Sequence, residues 1–172
     1  MKRLLWMMPL LLLAACAGES PEPPAEVPES WEGYGNQVRV LYFAEGSTSL
    51  QWREEARALE ILEDPAARIE ATLNELLAGP REVNGRAFPL GCGLEQVFVE
   101  SDGTLTLDFS ESSAQRLSRA GSLEERVAMA ALSRTLRVNF PELRRMRILV
   151  GGKQCESLGG HLYTGGLLSL EE

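Results

Sequence analysis

Three residues supply the side-chain types of a serine-type catalytic triad: Asp108, Ser110 and His161. A nucleophilic serine of this kind sits on a strained turn beside its base, and the Gly-x-Ser-x-Gly pattern of one such turn does not occur in the sequence. Short polar residues also end strands and cap the turn that follows. We therefore expect Asp108 and Ser110 to be structural. We expect the ring of His161 to anchor the glycine-rich tail by binding a backbone group.

A second possible chemistry is glycan hydrolysis by a pair of carboxylates, which must lie roughly 5 to 10 Å apart across a sugar cleft. The candidates are Glu54, Glu55, Glu60 and Glu63. Trp52 is the one aromatic residue that accompanies them, so we expect them to form a solvated charged face.

The cysteines offer two further possibilities. Cys92, Cys155 and His161 could bind zinc, but structural zinc sites pair closely spaced ligands and Cys92 is remote in sequence from the other two. In an exported protein, Cys92 and Cys155 are better explained as a disulfide, which requires α-carbons about 4.4 to 6.8 Å apart. We expect this disulfide, and neither a metal site nor a cofactor.

Arginines cluster in one stretch of an otherwise acidic chain: Arg134, Arg137, Arg144, Arg145 and Arg147. We predict that Arg144, Arg145 and Arg147 bind an anionic wall polymer or an acidic partner. The alternative is a local role, because cations favour the carboxyl end of a helix and arginine stems cover apolar surface.

The composition excludes some functions. The 172 residues include 17 Lys and Arg against 25 Asp and Glu, a formal net charge of −8. An acidic surface repels phosphate backbones, so we expect no nucleic-acid partner. The hydrophobic fraction of 44% supports a packed core.

The N-terminus has the pattern of an export signal. Lys2 and Arg3 precede an apolar run from Leu4 to Ala15, which is shorter than the about 20 residues of a membrane span. The tetrad ending at Cys16 resembles the lipobox of bacterial lipoproteins, which implies a signal peptide over residues 1–15 and a lipid on the Cys16 thiol. A plain secretory signal is the alternative.

Residues 16–36 follow as a predicted tether, rich in proline and glutamate and without Lys or Arg. Proline keeps such a chain extended at ~3.1 Å per residue, enough for roughly 60 Å.

A globular domain is expected over residues 37–172. A β-rich run at 38–43 predicts the first strand. Asp64 and Pro65 predict the start of a helix that stops at Gly79. Strands at 97–100 and 105–109 flank a predicted hairpin turn that contains Asp102 and Gly103.

The second half predicts one more helix and one or two strands. Ser122 and Glu125 have the spacing of a capping box that would open the helix. A short strand follows at 146–150, with one further edge strand in the tail. These elements indicate one small α+β domain, with a mixed or antiparallel sheet of three to five strands and two helices packed on one face.

Residues 38–168 resemble the GerMN domain, the sporulation and germination module. The matching pieces are Val40-Leu41-Tyr42-Phe43, Leu76 to Pro80, Phe88 to Gly91, Asp102 to Ser110, Leu132 to Leu136, Val150 to Gly152 and Gly159-Gly160-His161. The resemblance implies an envelope-facing module without an established catalytic activity, linked to sporulation, germination or cell-wall processes. Cys92 departs from the pattern, which more often has a small hydroxyl residue there.

We therefore expect a binding or scaffolding module, not an enzyme. It would be lipid-anchored on the extracytoplasmic face of the cell membrane or outer membrane, with an envelope protein or peptidoglycan as partner. Two alternatives remain. One is a carrier whose pocket is lined by Trp52, Tyr42 and Tyr163, and the other is a wall-active hydrolase.

Overall fold

The computed structural model describes residues 36–45, 51–81 and 85–171. The predicted signal peptide, Cys16 and all of the tether except Asn36 lie outside the described residues. The elements in chain order are β1 (Asn36–Ala44), β2 (Trp52–Glu60), α1 (Pro65–Ala78), β3 (Leu94–Val99), β4 (Thr104–Phe109), α2 (Glu111–Ala120), α3 (Ser122–Asn139), β5 (Arg145–Val150), β6 (Lys153–Gln154) and β7 (Leu168–Ser169).

The first sheet is the antiparallel hairpin β1–β2, in register from Asn36 opposite Glu60 to Ala44 opposite Trp52. The other edge of β1 lies against α3, whose side chains take the place of a third strand. Asn139 accepts from the Val40 N–H at 2.9 Å and donates to the Val40 carbonyl at 2.7 Å. The backbone N–H of Tyr42 donates to the Thr135 hydroxyl. An edge that would otherwise expose unpaired backbone groups is thereby closed.

Helix α1 begins and ends where the sequence predicts. The Asp64 carboxylate accepts from the N–H groups of Ala66 and Ala67, and Pro65 occupies the first turn. Gly79 ends the helix at φ 97°, a conformation that favours glycine. The helix buries its apolar stripe, Ile69, Leu73, Leu76 and Leu77, against β1 and β3.

The second sheet has the order β3-β4-β5-β6, and β7 pairs with β5 beside β6. The predicted β3–β4 hairpin is confirmed, with Gly103 at φ 81° in its turn. Strands β4 and β5 are parallel, so α2 and α3 form the crossover that a parallel pair requires. Leu105 and Leu107 of β4, with Met146 and Ile148 of β5, belong to the single core cluster.

The predicted α+β class is confirmed as one small domain, with two differences in detail. The strands form two sheets, and the described residues contain a third helix, α2. The predicted capping box is wrong, because Gly121 is the N-cap of α3 and no side chain caps it. The Glu125 carboxylate points instead into the interior, where it accepts hydrogen bonds from residues of the tail.

Candidate functional site

The three candidate triad residues each bind backbone or cap groups of the fold. The Ser110 hydroxyl caps α2 by accepting from the Ser113 N–H, and it also contacts the hydroxyls of Ser112 and Ser113. The buried Asp108 carboxylate accepts from the Gly152 N–H at 3.0 Å. His161 is exposed, and its backbone N–H donates to Glu125. Asp108, Ser110 and His161 thus have separate partners, and the predicted capping of the next turn is confirmed at Ser110.

Glu125 is the residue that organises the tail, whereas its spacing from Ser122 predicts a role in capping α3. Its side chain is fully buried and accepts four hydrogen bonds. One oxygen takes the Ser157 hydroxyl at 2.8 Å and the Gly159 N–H at 2.7 Å. The other takes the N–H groups of His161 at 2.7 Å and Leu162 at 3.1 Å. We call this arrangement the Glu125 clamp. The tail is therefore anchored by the His161 backbone and not, as predicted, by its ring.

The predicted Cys92–Cys155 disulfide is not present: both residues are free cysteines. Cys92 precedes β3 and its thiol points to the Ser113 carbonyl, whereas the Cys155 thiol follows β6 and points to the Ile148 carbonyl. The two flanking strands are three positions apart in the sheet, about 14 Å at ordinary strand spacing. Burial is the main cause that raises the pKa of both thiols, which keeps them protonated and weakly reactive.

The acidic residues of β2 and of the segment after it do not form a single charged face. Glu54, Glu60 and Glu63 are exposed, as predicted, but Glu55 is buried on the opposite side of the strand. It pairs at 2.6 Å with Arg57, which is also buried. Arg57 in addition binds Glu75 of α1 at 2.5 Å and the Gly79 carbonyl at 3.1 Å. These charges tie β2 to the end of α1.

The arginine cluster separates into two groups. Arg145 pairs with Asp102 at 2.8 Å, and Arg147 lies 3.6 Å from Glu100. These two acidic residues of the β3–β4 turn partly neutralise the charges of both arginines. Arg144 is exposed beside them. Binding by Arg144, Arg145 and Arg147 stays a prediction.

The second group, Arg134 and Arg137, lies on α3. The guanidinium of Arg134 sits 5.1 Å from the ring centre of Trp52, a cation–π distance. Both arginines line an open groove of about 490 Å³ together with Tyr42. Burial is the largest cause that raises the pKa of Tyr42, followed by the hydrogen bond to Glu54.

Two negative findings bear on the remaining possibilities. Within the described residues, no group of three or more His, Cys, Asp or Glu side chains could hold a metal ion. Among the same residues, no helix is long and apolar enough to cross a bilayer. Tyr42 and Tyr163 line neighbouring parts of one open surface, and the Trp52 ring is covered by Arg134.

These features define a small α+β domain in which the side chains of Asp108, Ser110 and Glu125 bind backbone groups of the same domain. The family model for sporulation and spore germination, named Germane, matches residues 40–156. The chain therefore belongs to this family, as the GerMN resemblance implied. None of the curated proteins matches the sequence.

Solved structures share the fold at low sequence identity. The first GerMN domain of the sporulation protein GerM from Bacillus subtilis is 18% identical with a TM-score of 0.57, over 77% of this chain and 97% of that one. The tandem GerMN domains of the same protein give 20% and 0.55, over 86% of this chain and 48% of that one. A candidate lipoprotein from Clostridium perfringens gives 17% and 0.51, over 78% and 88%.

Proposed function

We propose that the protein is a lipid-anchored binding or scaffolding module of the cell envelope that acts in sporulation, germination or a cell-wall process and has no catalytic activity. The observation that carries the proposal is that Asp108, Ser110 and His161 each bind backbone or cap groups of the domain, and have separate partners. Family membership supports the sporulation or germination context. A structural relative described as a candidate lipoprotein supports the anchor.

The non-catalytic part rests on what a hydrolase would need from these side chains. A nucleophilic serine requires a base within hydrogen-bond reach, roughly 2.6 to 3.2 Å. The Ser110 hydroxyl is instead 2.9 Å from the Ser113 hydroxyl, which is itself bonded to both backbone groups of Gly93. That network joins the start of α2 to the loop before β3, so these two hydroxyls hold the two segments together.

The anchor part rests on Cys16, and lipid labelling tests it. A palmitate analogue should label the wild-type protein and leave Cys16→Ser unlabelled and unprocessed, because the thiol is the attachment point. A mutant that is processed and labelled like the wild type would remove the anchor from the proposal.

Complementation of a deletion strain at matched protein level tests the function. Ser110→Asp keeps an N-cap side chain and removes the hydroxyl, while His161→Ala removes the ring. We expect both to complement, and Cys16→Ser or the reversal of Arg144, Arg145 and Arg147 to Glu to fail. Failure of Ser110→Asp or His161→Ala with an unchanged melting temperature would favour an enzyme instead.

A further inference from the structure

The exposed side of α3 carries a groove that the proposed function does not yet assign to a partner. It consists of two adjoining parts of about 490 and 390 Å³, and Ala130 and Ser133 line both. We call the whole surface the α3 groove. Its small central residues leave room for another chain to approach the helix closely.

The two ends of the α3 groove differ in chemistry. One end has an apolar floor of Met129, Met146, Leu162 and Leu168. Tyr163 rises beside this floor with 71% of its surface exposed. Met129 and Met146 are almost fully buried within this floor, and an exposed tyrosine supplies contact area at small entropic cost. This end suits a single large apolar anchor.

The other end is cationic. Arg134 and Arg137 lie one turn apart on α3, and Arg137 is seven residues from Ala130, about 10 Å along the helix. Stacking on Trp52 holds the Arg134 guanidinium in place. The Glu54 carboxylate at the rim receives the hydrogen bond of Tyr42. A positioned guanidinium binds carboxylates in two-pronged geometry.

We propose that the α3 groove binds an acidic peptide segment of a partner protein, with one large apolar side chain on the methionine floor and carboxylates on Arg134 and Arg137. This inference rests on the proposed function and names the partner class. Charge complementarity supports it, because Arg134 and Arg137 place two cationic side chains in this groove on a chain of net charge −8.

The same features disfavour a glycan in this groove. Sugar rings stack on open aromatic faces, whereas the Trp52 ring lies under Arg134. A polymer of charge alone would leave the apolar half unused.

The test is fluorescence titration of the mature-length chain carrying Cys16→Ser. The probe is a labelled nonapeptide with one leucine and glutamates three to four residues from it. Two control peptides replace the glutamates by glutamine or the leucine by serine. We expect saturable binding of the first peptide, and at least tenfold weaker binding of both controls.

Protein variants locate the binding. Arg134→Gln with Arg137→Gln should weaken the affinity by about tenfold or more, since a hydrogen bond to a charged group contributes about 1.5 to 3 kcal/mol. Arg119→Gln with Lys153→Gln removes the same charge from exposed positions outside the groove and should change it less than twofold.

Four results would overturn the inference: no saturation, equal loss in both double variants, equal affinity of the leucine-to-serine peptide, or competition by soluble peptidoglycan fragments in place of the acidic peptide. If the peptide fails while Cys16→Ser still fails to complement, the groove assignment falls and the proposed function stands. If Cys16→Ser complements, the anchored function falls, and the titration alone decides the groove.

Discussion

The Glu125 clamp gives the sharpest test of how this fold is held together, and the informative change is Glu125→Gln. The substitution keeps the shape of the buried side chain and replaces one of its two acceptor oxygens by a donor. The amide nitrogen fits best where Oε1 stands, because the Ser157 hydroxyl there can turn to accept. In that orientation the Gly159 N–H faces another donor and loses its partner.

The cost follows from the contacts. An unsatisfied buried N–H costs about 1 to 3 kcal/mol, and the bonds from His161 and Leu162 lose their charge assistance, about 1 kcal/mol for the two. We expect Glu125→Gln to lower the free energy of unfolding by about 3 kcal/mol, or about 10 °C in melting temperature for a domain of this size.

Urea denaturation measures the global effect, and hydrogen exchange at the amides of Gly159, His161 and Leu162 measures the local one. Glu124→Gln is the matched control, because it removes the same charge one residue earlier, in the same first turn of α3. We expect the control to change stability by less than about 0.5 kcal/mol. Unchanged exchange at the three amides, or equal loss in both variants, would refute the reasoning about the clamp.

Three further predictions concern other buried or paired groups. Mass spectrometry of an unreduced digest should find Cys92 and Cys155 as separate thiols, and because burial raises both pKa values above the ordinary 9.0, native alkylation should lag behind that of unfolded protein until the pH rises well past 9. Arg57→Leu should destabilise the fold by about 3 to 5 kcal/mol in urea, because it removes the cationic partner of the buried Glu55, and adding Glu55→Leu should recover part of the loss. A hydrogen bond from Thr104 is the main cause that lowers the pKa of Asp102, so its carboxylate stabilises the fold at neutral pH and the contribution is lost as the pH falls below 3.8; the stability difference between wild type and Asp102→Asn, followed by thermal melts, should therefore shrink as the pH is lowered below 3.8.

Local signals in the sequence predicted the elements that depend on local chemistry. Helix α1 follows from Asp64 and Gly79, which act within one turn of their positions. The β3–β4 hairpin likewise follows from the Asp102-Gly103 turn. In both cases the residues that set the structure lie within the element or directly next to it.

The sequence does not predict strand β2 or helix α2, because their burial patterns contradict the usual hydrophobic signal. Strand β2 turns Glu55 and Arg57 inward, where they neutralise each other, so its buried side looks charged in the sequence. Helix α2 buries only Ser113 and Leu117 among its ten residues, which is too little for an apolar stripe.

The remaining errors come from contacts between distant segments. Glu125 has the spacing of a capping residue, but its four hydrogen-bond donors come from the tail, 32 to 37 residues away. The two cysteines could be judged unpaired only once the strand order was known. The α3 groove joins residues from β1, α3, β5 and the tail, so no single stretch of sequence contains its pattern.

The closure of β1 on both edges has a mechanical consequence. A pull on Asn36 that is directed along the axis of β1 acts on the hydrogen bonds at both edges of the strand. The ladder to β2 and the bonds to Asn139 and Thr135 lie across that axis, so they are loaded in shear, all together, and not unzipped one after another. A domain held at its N-terminus would resist such tension through nine paired residues and a helix at once. Strand β1 would then also transmit force from the N-terminus into the domain.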